Sequence, residues 1–525
     1  MATQITESED QFKVWRGKNL EPKRHGGIRA ASIACVVEVL ENMVFLCNAS
    51  NFVTYFIKSM HYPLATASNM VTNFAGTSFL LTLFGGFICD SFLTRFTTFI
   101  LFCSLELLGL VLLTIQAQTP RLQPAVGKTP SSSQLAFLYT GLYAMATGVG
   151  GVKASLPAHG ADQLDRSNQR LISAFFNWFF FGLCMGGFLS CTIMVWIQEN
   201  KGWNWSFRIS AVALSLALVI FAAGFPIYLF KLPSGSPFTR IFKVLVAAIR
   251  KRRHSISDAE MNLHALSPVT RAQKKFRFLD RALMDENISE NDVEEARTFI
   301  GLLPIFASTI FMSCCLAQLQ TLSVVQGNLM NRKLGHNFTI PAQSLTVIPL
   351  TIMLSFIPLY EHVVKMFGNR VSSKFNVFKP LKRIGLGLML ASVAMAIAAG
   401  VEDKRRRVAT SDSHKIISVF WLGWQYLLLG VSDMLTLGGM LEFFYSEAPA
   451  SMRSISTSLS WVSTSMGSFL SSVLVSIANS VSGRYGKEWL GGNDLNHNRL
   501  DLFYTLLCVL NFINFFNYVF WAKRY

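Results

Sequence analysis

The chain has 525 residues, of which 51% are hydrophobic and only 15% charged, and 44 are phenylalanine. A water-soluble chain of this length carries about 25% charged residues and divides into several polar-surfaced domains, so a soluble globular protein is excluded. The net charge of +17 does not point to nucleic acid, because the basic residues lie in short polar segments between apolar stretches, where loops facing anionic lipid carry them.

Residues 1–27 are polar and basic, with Lys13, Arg16, Lys18, Lys23 and Arg24. They predict a cytosolic amino-terminal segment rather than a cleaved leader. Crossing about 30 Å of hydrocarbon takes roughly 20 apolar residues, and twelve stretches meet that requirement. The first six are 28–50, 66–90, 96–117, 135–158, 171–197 and 206–230. After a polar segment at 231–297 come 298–318, 340–366, 382–401, 416–442, 453–482 and 500–522. The expected architecture is an all-α membrane protein of twelve transmembrane helices in two six-helix bundles, 28–230 and 298–525, joined by a cytosolic central loop.

The central loop carries thirteen Lys and Arg, including the run Arg250-Lys251-Arg252-Arg253, and then an acidic patch from Asn291 to Glu295. An even number of crossings returns both termini to one side, and the basic residues favour the cytosol for that side. The segment 402–415, with Lys404, Arg405, Arg406 and Arg407, runs against that assignment. The nine cysteines all fall in or at the ends of apolar spans, without the spacing of a disulfide framework or a metal site. No cofactor or metal is expected.

Ionisable residues inside spans are costly and mark function. Glu38 and Glu41 are spaced i, i+3 on the first span, which puts both on one helix face, with Asn42 one turn from Glu38. Two acids this close in a low-dielectric site cannot both ionise cheaply, so one is expected to hold a proton reversibly. Lys153, in Gly148-Val149-Gly150-Gly151-Val152-Lys153, needs a counter-charge, and the glutamate pair is the natural partner. Asp433 lies mid-span in the tenth helix, so a substrate between the halves would meet Lys153 from one side and Asp433 from the other. Glu106 is expected to bond a neighbouring helix or face lipid. Glu442 and Glu447, at the end of the tenth span, suit a gate or an interface ion pair. Nucleophile elbow, metal spacing and phosphate loop are all absent from the sequence, which favours a secondary transporter over an enzyme or a nucleotide-driven pump.

The segment Gly85-Gly86-Phe87-Ile88-Cys89-Asp90-Ser91-Phe92-Leu93-Thr94-Arg95 resembles the loop after the second helix of major facilitator transporters. Phe175-Phe176-Asn177-Trp178-Phe179-Phe180-Phe181-Gly182 is similar to the fifth-helix motif of the proton-coupled peptide transporter family. Gly160-Ala161-Asp162-Gln163-Leu164-Asp165, Leu441-Glu442-Phe443-Phe444-Tyr445-Ser446-Glu447-Ala448-Pro449 and the ending Phe520-Trp521-Ala522-Lys523-Arg524-Tyr525 resemble its plant branch, the nitrate and peptide transporters. The resemblance implies the major facilitator fold, alternating access and proton symport, with the proton as coupling ion.

It also implies roles for individual residues. The family's first-helix motif Glu-x-x-Glu-Arg matches at Glu38 and Glu41, with Lys153 as the fourth-helix lysine, but Asn42 stands where the arginine is expected. Asp433 matches the tenth-helix acid that faces substrate, while Asn177 and Gln318, the latter in Ala317-Gln318-Leu319-Gln320-Thr321-Leu322-Ser323, fall among substrate-binding positions. Asp90 and Arg95 belong to the gating motif, and Thr98 is the nearest match to a phosphorylated threonine. Leu316 occupies the position of the family's nitrate-specific histidine. The variant motif is similar to the subgroup with abscisic acid and gibberellin carriers. Proton-coupled carriage of such small organic anions across the plasma membrane is therefore the favoured expectation. Nitrate or di- and tripeptide transport is the alternative, and a substrate sensor that moves nothing is the alternative of a different class.

Overall fold

A computed structural model describes residues 12–13, 25–62, 64–125, 130–165, 167–233, 235–251, 276–285, 288–334, 338–339, 345–371, 379–411, 416–486, 488–490 and 498–525. The first bundle comprises α1 (Gly27–Lys58), α2 (Leu64–Ser91), α3 (Arg95–Gln118), α4 (Ser132–Asp162), α5 (Gln169–Leu189), α6 (Val195–Lys201) and α7 (Trp203–Ala223). A π-helical turn, Ser190–Met194, joins α5 to α6, so the two form one crossing. Then follow α8 (Pro237–Arg250), α9 (Glu290–Gln320), α10 (Leu322–Asn328), α11 (Val347–Val371), α12 (Pro380–Ser411), α13 (Gly423–Glu447), α14 (Arg453–Arg484) and α15 (Leu500–Arg524). Two-residue strands form two small antiparallel pairs, β1 (Phe12–Lys13) with β2 (Phe230–Lys231), and β3 (Lys333–Leu334) with β4 (Phe338–Thr339).

Eleven of the described helices are long and apolar enough to cross a membrane. The twelfth crossing is α11. It has 25 residues, but its apolar part, Val347–Leu359, is shorter. Its polar continuation includes Glu361, which a side chain of the other half bonds, so that charge is not left to lipid. The expected start of this span at 340–344 lies outside the described residues.

Several boundaries differ from the sequence reading. The first span runs on to Lys58, and the sixth ends at Ala223, where a 3₁₀ turn at Phe225–Ile227 follows. The central segment is not a plain loop. It holds the amphipathic α8 and a 3₁₀ turn, Arg277–Met284, and its acidic patch forms the first turns of α9. The cause is an amino-terminal capping box, with Ser289 accepting from the Asp292 backbone and Asp292 returning the bond, where acidic side chains also favour the helix dipole. Arg252 and Arg253 lie outside the described residues.

The basic segment expected as the loop 402–415 is helical as far as Ser411. Its arginines are paired: Arg405 with buried Glu402 at 2.7 Å, Arg406 with Asp501 at 3.4 Å and Arg407 with Asp403 at 2.7 Å. Lys404 sits 3.6 Å from the centre of the Trp421 ring. The pairing accounts for how the helix carries these charges, but the segment still runs against a cytosolic placement of the termini, because the positive-inside rule counts Lys and Arg whatever acids lie beside them.

Close packing around α4 depends on its glycines. A Cβ at Gly148 would stand 2.5 Å from the Cβ of Glu106 on α3, and one at Gly85 of α2 would stand 2.6 Å from the Cα of Gly151. Three helices thus meet at one point of α4, just before Lys153. On the opposite side of α1, Gly182 and Gly186 let α5 approach, to 2.9 Å and 2.6 Å of the Cys35 and Val39 carbonyl oxygens by the same measure. The lysine is therefore set among helices held too close for water to surround it.

Candidate functional site

Lys153 is buried, at 1% exposure, and its ammonium uses all three N–H bonds on α1. It donates to Glu38 Oε1 at 2.9 Å, Glu41 Oε2 at 2.5 Å and Asn42 Oδ1 at 3.1 Å. The i, i+3 spacing and the adjoining asparagine bring three acceptors onto the face that α4 approaches. The Asn42 amide donates in turn to the Leu183 carbonyl of α5 at 2.7 Å, which fixes its oxygen toward the lysine. An arginine here would set a second cation beside Lys153 and remove that acceptor. The outer oxygens, Glu38 Oε2 and Glu41 Oε1, are buried without a bond.

With both acids ionised the cluster carries one surplus negative charge. A single added proton makes it neutral and releases one Lys153 contact. Breaking such a buried pair by removing one partner costs about 3–5 kcal/mol, so the arrangement is strongly sensitive to which group holds the proton.

The other half of the chain meets this cluster through an aromatic ring. Trp461 of α14 lies 5.2 Å from Lys153 Nζ, and Phe45 of α1 lies 5.8 Å away. Phe79 of α2 stacks on Trp461 with centroids 5.5 Å apart and planes 10° apart. An apolar wall beside a single ammonium suits an anion with an apolar body, since the charge binds the ion and the rings bury the rest.

The remaining expected site residues do not all gather here. Asp433 is half-buried on α13, and among the described residues no hydrogen bond or ion pair reaches it; its charge acts on Cys184 of α5. It therefore faces the junction of the halves from the second bundle, without direct contact with Lys153. Gln318 is buried between α9 and α14, donating to Ser471 Oγ at 2.7 Å. Ser471 is ten residues beyond Trp461, about 15 Å along the helix, so Gln318 lies away from the lysine. Glu106 neither bonds a neighbouring helix nor faces lipid. It is fully buried, and neither of its carboxyl oxygens has a partner.

Asn177 is part of a contact between the halves rather than of the lysine cluster. It donates to Glu361 of α11 at 2.5 Å and accepts from Arg383 of α12 at 2.9 Å. Arg383 pairs with Glu442 of α13 at 2.9 Å, and Ser173 of α5 donates to Glu442 at 3.0 Å. A crevice lined by Asn177, Phe180, Ile357, Arg383, Met434 and Leu435 lies beside this network.

A second network lies at the same end of the molecule, the face that carries both termini. Arg95 pairs with Asp162 and with Asp90, the latter at 3.5 Å, and donates to Ser454 Oγ at 2.9 Å. Asp90 also accepts from the Ile455 backbone N–H at 3.0 Å, capping α14 from the other half. Tyr445 donates to Asp162 at 2.6 Å. Both networks therefore lock α2–α5 against α11–α14 on this face. Glu447 sits at its edge, accepting from the Tyr525 hydroxyl at 3.3 Å. Thr98 is fully buried behind it, donating to the Thr94 carbonyl at 3.0 Å, so a kinase reaches its hydroxyl only if this end of α3 opens.

The family described as "PTR2: POT family" matches residues 96–490. The chain belongs to the POT family. Its curated relatives include Protein NRT1/ PTR FAMILY 4.2 of Arabidopsis thaliana, 59% identical over 98% of this chain and 99% of that one. Protein NRT1/ PTR FAMILY 4.1 of the same plant is 56% identical over 99% of each. Among solved structures, the POT family transporter PepTSo is similar with a TM-score of 0.67 at 19% identity, covering 94% of this chain and 98% of that one. A POT family transporter in complex with 5-aminolevulinic acid gives 0.62 at 14% identity, covering 96% and 99%. These likenesses give the fold. Membership makes the chain a multi-pass membrane transporter, not an enzyme.

For this POT-family member, the residues that sequence reasoning missed are Arg383 and Glu361. Arg383 lies at the edge of an apolar span, where an arginine reads as a snorkelling headgroup contact. Glu361 lies past the apolar part of α11. The available signal was a pattern of unpaired opposite charges at the same depth of different spans, a pattern that pairs only once the helices are placed.

Proposed function

We propose that the protein is a proton-coupled symporter of small organic anions working by alternating access, with weak carboxylic acids of apolar body, such as abscisic acid or gibberellin, as substrates. The observation that carries this reading is the Lys153 cluster: one buried ammonium, saturated by Glu38, Glu41 and Asn42 and walled by Trp461 and Phe45. In the described state no N–H of the lysine is left for a substrate. A proton arriving on Glu41 removes its charge and frees Lys153 for a substrate carboxylate. Proton and substrate binding thus favour one another, and this reciprocal coupling is what symport requires.

Asp433, placed in the second bundle without a counter-charge, would meet a polar group at the far end of the substrate. The two networks on the terminus-bearing face, Arg95–Asp162–Tyr445 and Arg383–Glu442–Asn177, would hold that face shut while the site loads from the other. Under this reading the termini are cytosolic, the membrane is the plasma membrane, and loading is from outside.

The test is flux into proteoliposomes carrying an inside-alkaline proton gradient, with labelled abscisic acid, gibberellin, nitrate and a dipeptide offered in parallel. Hormone uptake above protein-free vesicles is expected. Robust nitrate or dipeptide flux with hormone at background would overturn the substrate assignment, and saturable binding without any flux would favour a sensor.

A further inference from the structure

Among the described residues, eight carboxylates are buried: Glu38, Glu41, Asp90, Glu106, Asp162, Glu402, Glu442 and Asp501. Seven of them accept at least one hydrogen bond from a side chain. Lys153 serves Glu38 and Glu41, Arg95 serves Asp90 and Asp162, Arg405 serves Glu402, Arg383 serves Glu442, and Arg499 serves Asp501. Glu106 is the exception. Its exposure is 0%, and both oxygens are buried without a donor. An ionised carboxylate in such a place keeps the full cost of leaving water, with nothing to offset it. A neutral carboxylic acid does not bear that cost.

Its position is not remote from the lysine. Glu106 packs against α4 at Gly148, where only the missing side chain allows the approach, and Lys153 follows five residues later. Side chains on a helix lean toward its amino terminus, so the Lys153 stem is directed back toward the level of Gly148. Glu106 lies eleven residues into α3 and Glu38 eleven residues into α1. Both helices start from the terminus-bearing face, so both acids sit about 16 Å deep by helical rise. The charges that act on Glu106 are those of Glu41, Lys153 and Glu38. The other helices packed against α3 add none at this depth. The one charged residue of α2 is Asp90, engaged at the terminus-bearing face, and the one of α7 is Arg208, exposed near its outer end against Trp205.

We propose that Glu106 is a third proton-binding carboxyl of the Lys153 cluster, neutral in the conformation described and exchanging its proton with the Glu38–Glu41 pair as Lys153 changes partner. This rests on the proton-coupled reading above and deepens it. While both glutamates of α1 are ionised, they hold the lysine, and the surplus negative charge keeps the proton on Glu106. When the proton of Glu106 passes to Glu41, the lysine loses Glu41 as an ionised partner and the newly ionised Glu106 takes its place. One O–H bond forms on Glu41 as one breaks on Glu106, and the net charge of the cluster is unchanged. The lysine can thus leave Glu41 with two ionised partners, Glu38 and Glu106, whereas a two-acid site leaves it Glu38 alone until substrate arrives.

The experiment is infrared difference spectroscopy of the full-length protein in lipid vesicles during a pH titration, with no substrate and no gradient, so its outcome does not depend on whether any flux is observed. A protonated-carboxyl C=O band is expected at neutral pH in the wild-type protein and is expected to be lost in Glu106→Gln, with Glu106→Leu as the second variant if the first does not insert. In Glu41→Gln, which mimics the protonated acid, the same band should titrate with a midpoint at least one pH unit lower. A band that survives both Glu106 substitutions means that Glu106 is ionised and overturns the proposal. A band that disappears with Glu106 but keeps its midpoint in Glu41→Gln marks a static acid, and also overturns it. Loss of gradient-driven uptake with the band behaving as expected would instead count against symport alone.

Discussion

At the scale of single residues, Asn42 sets the character of the site. It gives Lys153 a neutral third acceptor and ties α1 to α5 through the Leu183 carbonyl. Restoring the family arginine with Asn42→Arg would add a cation next to the ammonium. Ionised glutamates would then be favoured, so protonation would require more acid. The pH profile of counterflow should move to lower pH, by about one unit for each 1.4 kcal/mol of added interaction; an unchanged profile would mean that Asn42 does not face the proton site. Lys153→Met should abolish transport and lower stability by about 3–5 kcal/mol, because it leaves two buried acids without a cation. Adding Glu41→Gln to Lys153→Met should recover part of that loss, read as a positive coupling in thermal unfolding of the purified protein. Strict additivity of the two changes would show that the pair is not a unit.

At the scale of elements, α4 is the helix on which the others are registered. Its glycines were legible in the sequence as places of close approach, but not which helix each receives. Gly148 takes α3 at Glu106, and Gly151 lies against Gly85 of α2. Replacing Gly85 of α2 by valine would push α2 away from α4 at Gly151, with a cost of about 1–3 kcal/mol as in other overpacked interiors. A lower melting temperature and loss of uptake together would be the result, whereas a protein of unchanged stability would show that α2 and α4 separate freely. The twelve spans were legible because hydrocarbon thickness dictates apolar length. Their ends were not, because helices such as α9 and α12 extend beyond the apolar core on capping and on paired charges, such as Ser289 with Asp292 and Arg405 with Glu402. Hydropathy does not register a charge that is neutralised by a distant residue.

At the scale of the whole molecule, two polar networks join the halves on the face that carries the termini. The pair Glu38–Glu41 with Lys153 could be read from chemistry alone, since a buried lysine has few partners. The second network could not, since Ser173, Asn177, Glu361, Arg383 and Glu442 come from four helices of both halves. If both networks close one gate, weakening one should loosen the other. A hydrogen bond to a charged group contributes about 1.5–3 kcal/mol, so Asn177→Ala should raise the open population of that face by roughly tenfold or more. The readout is thiol labelling of Ile455→Cys, a buried position beside Asp90 in the other network. An unchanged labelling rate would mean that the networks act separately.

The central claim is that the carboxylate pair couples the proton to the substrate through Lys153. The most direct measurement is accumulation of labelled abscisic acid in proteoliposomes under an inside-alkaline gradient, with protein-free vesicles subtracted, for wild-type protein and Glu41→Gln. The account predicts gradient-driven accumulation in the wild type, and in Glu41→Gln exchange that persists without accumulation. Accumulation in Glu41→Gln equal to that of the wild type would contradict it.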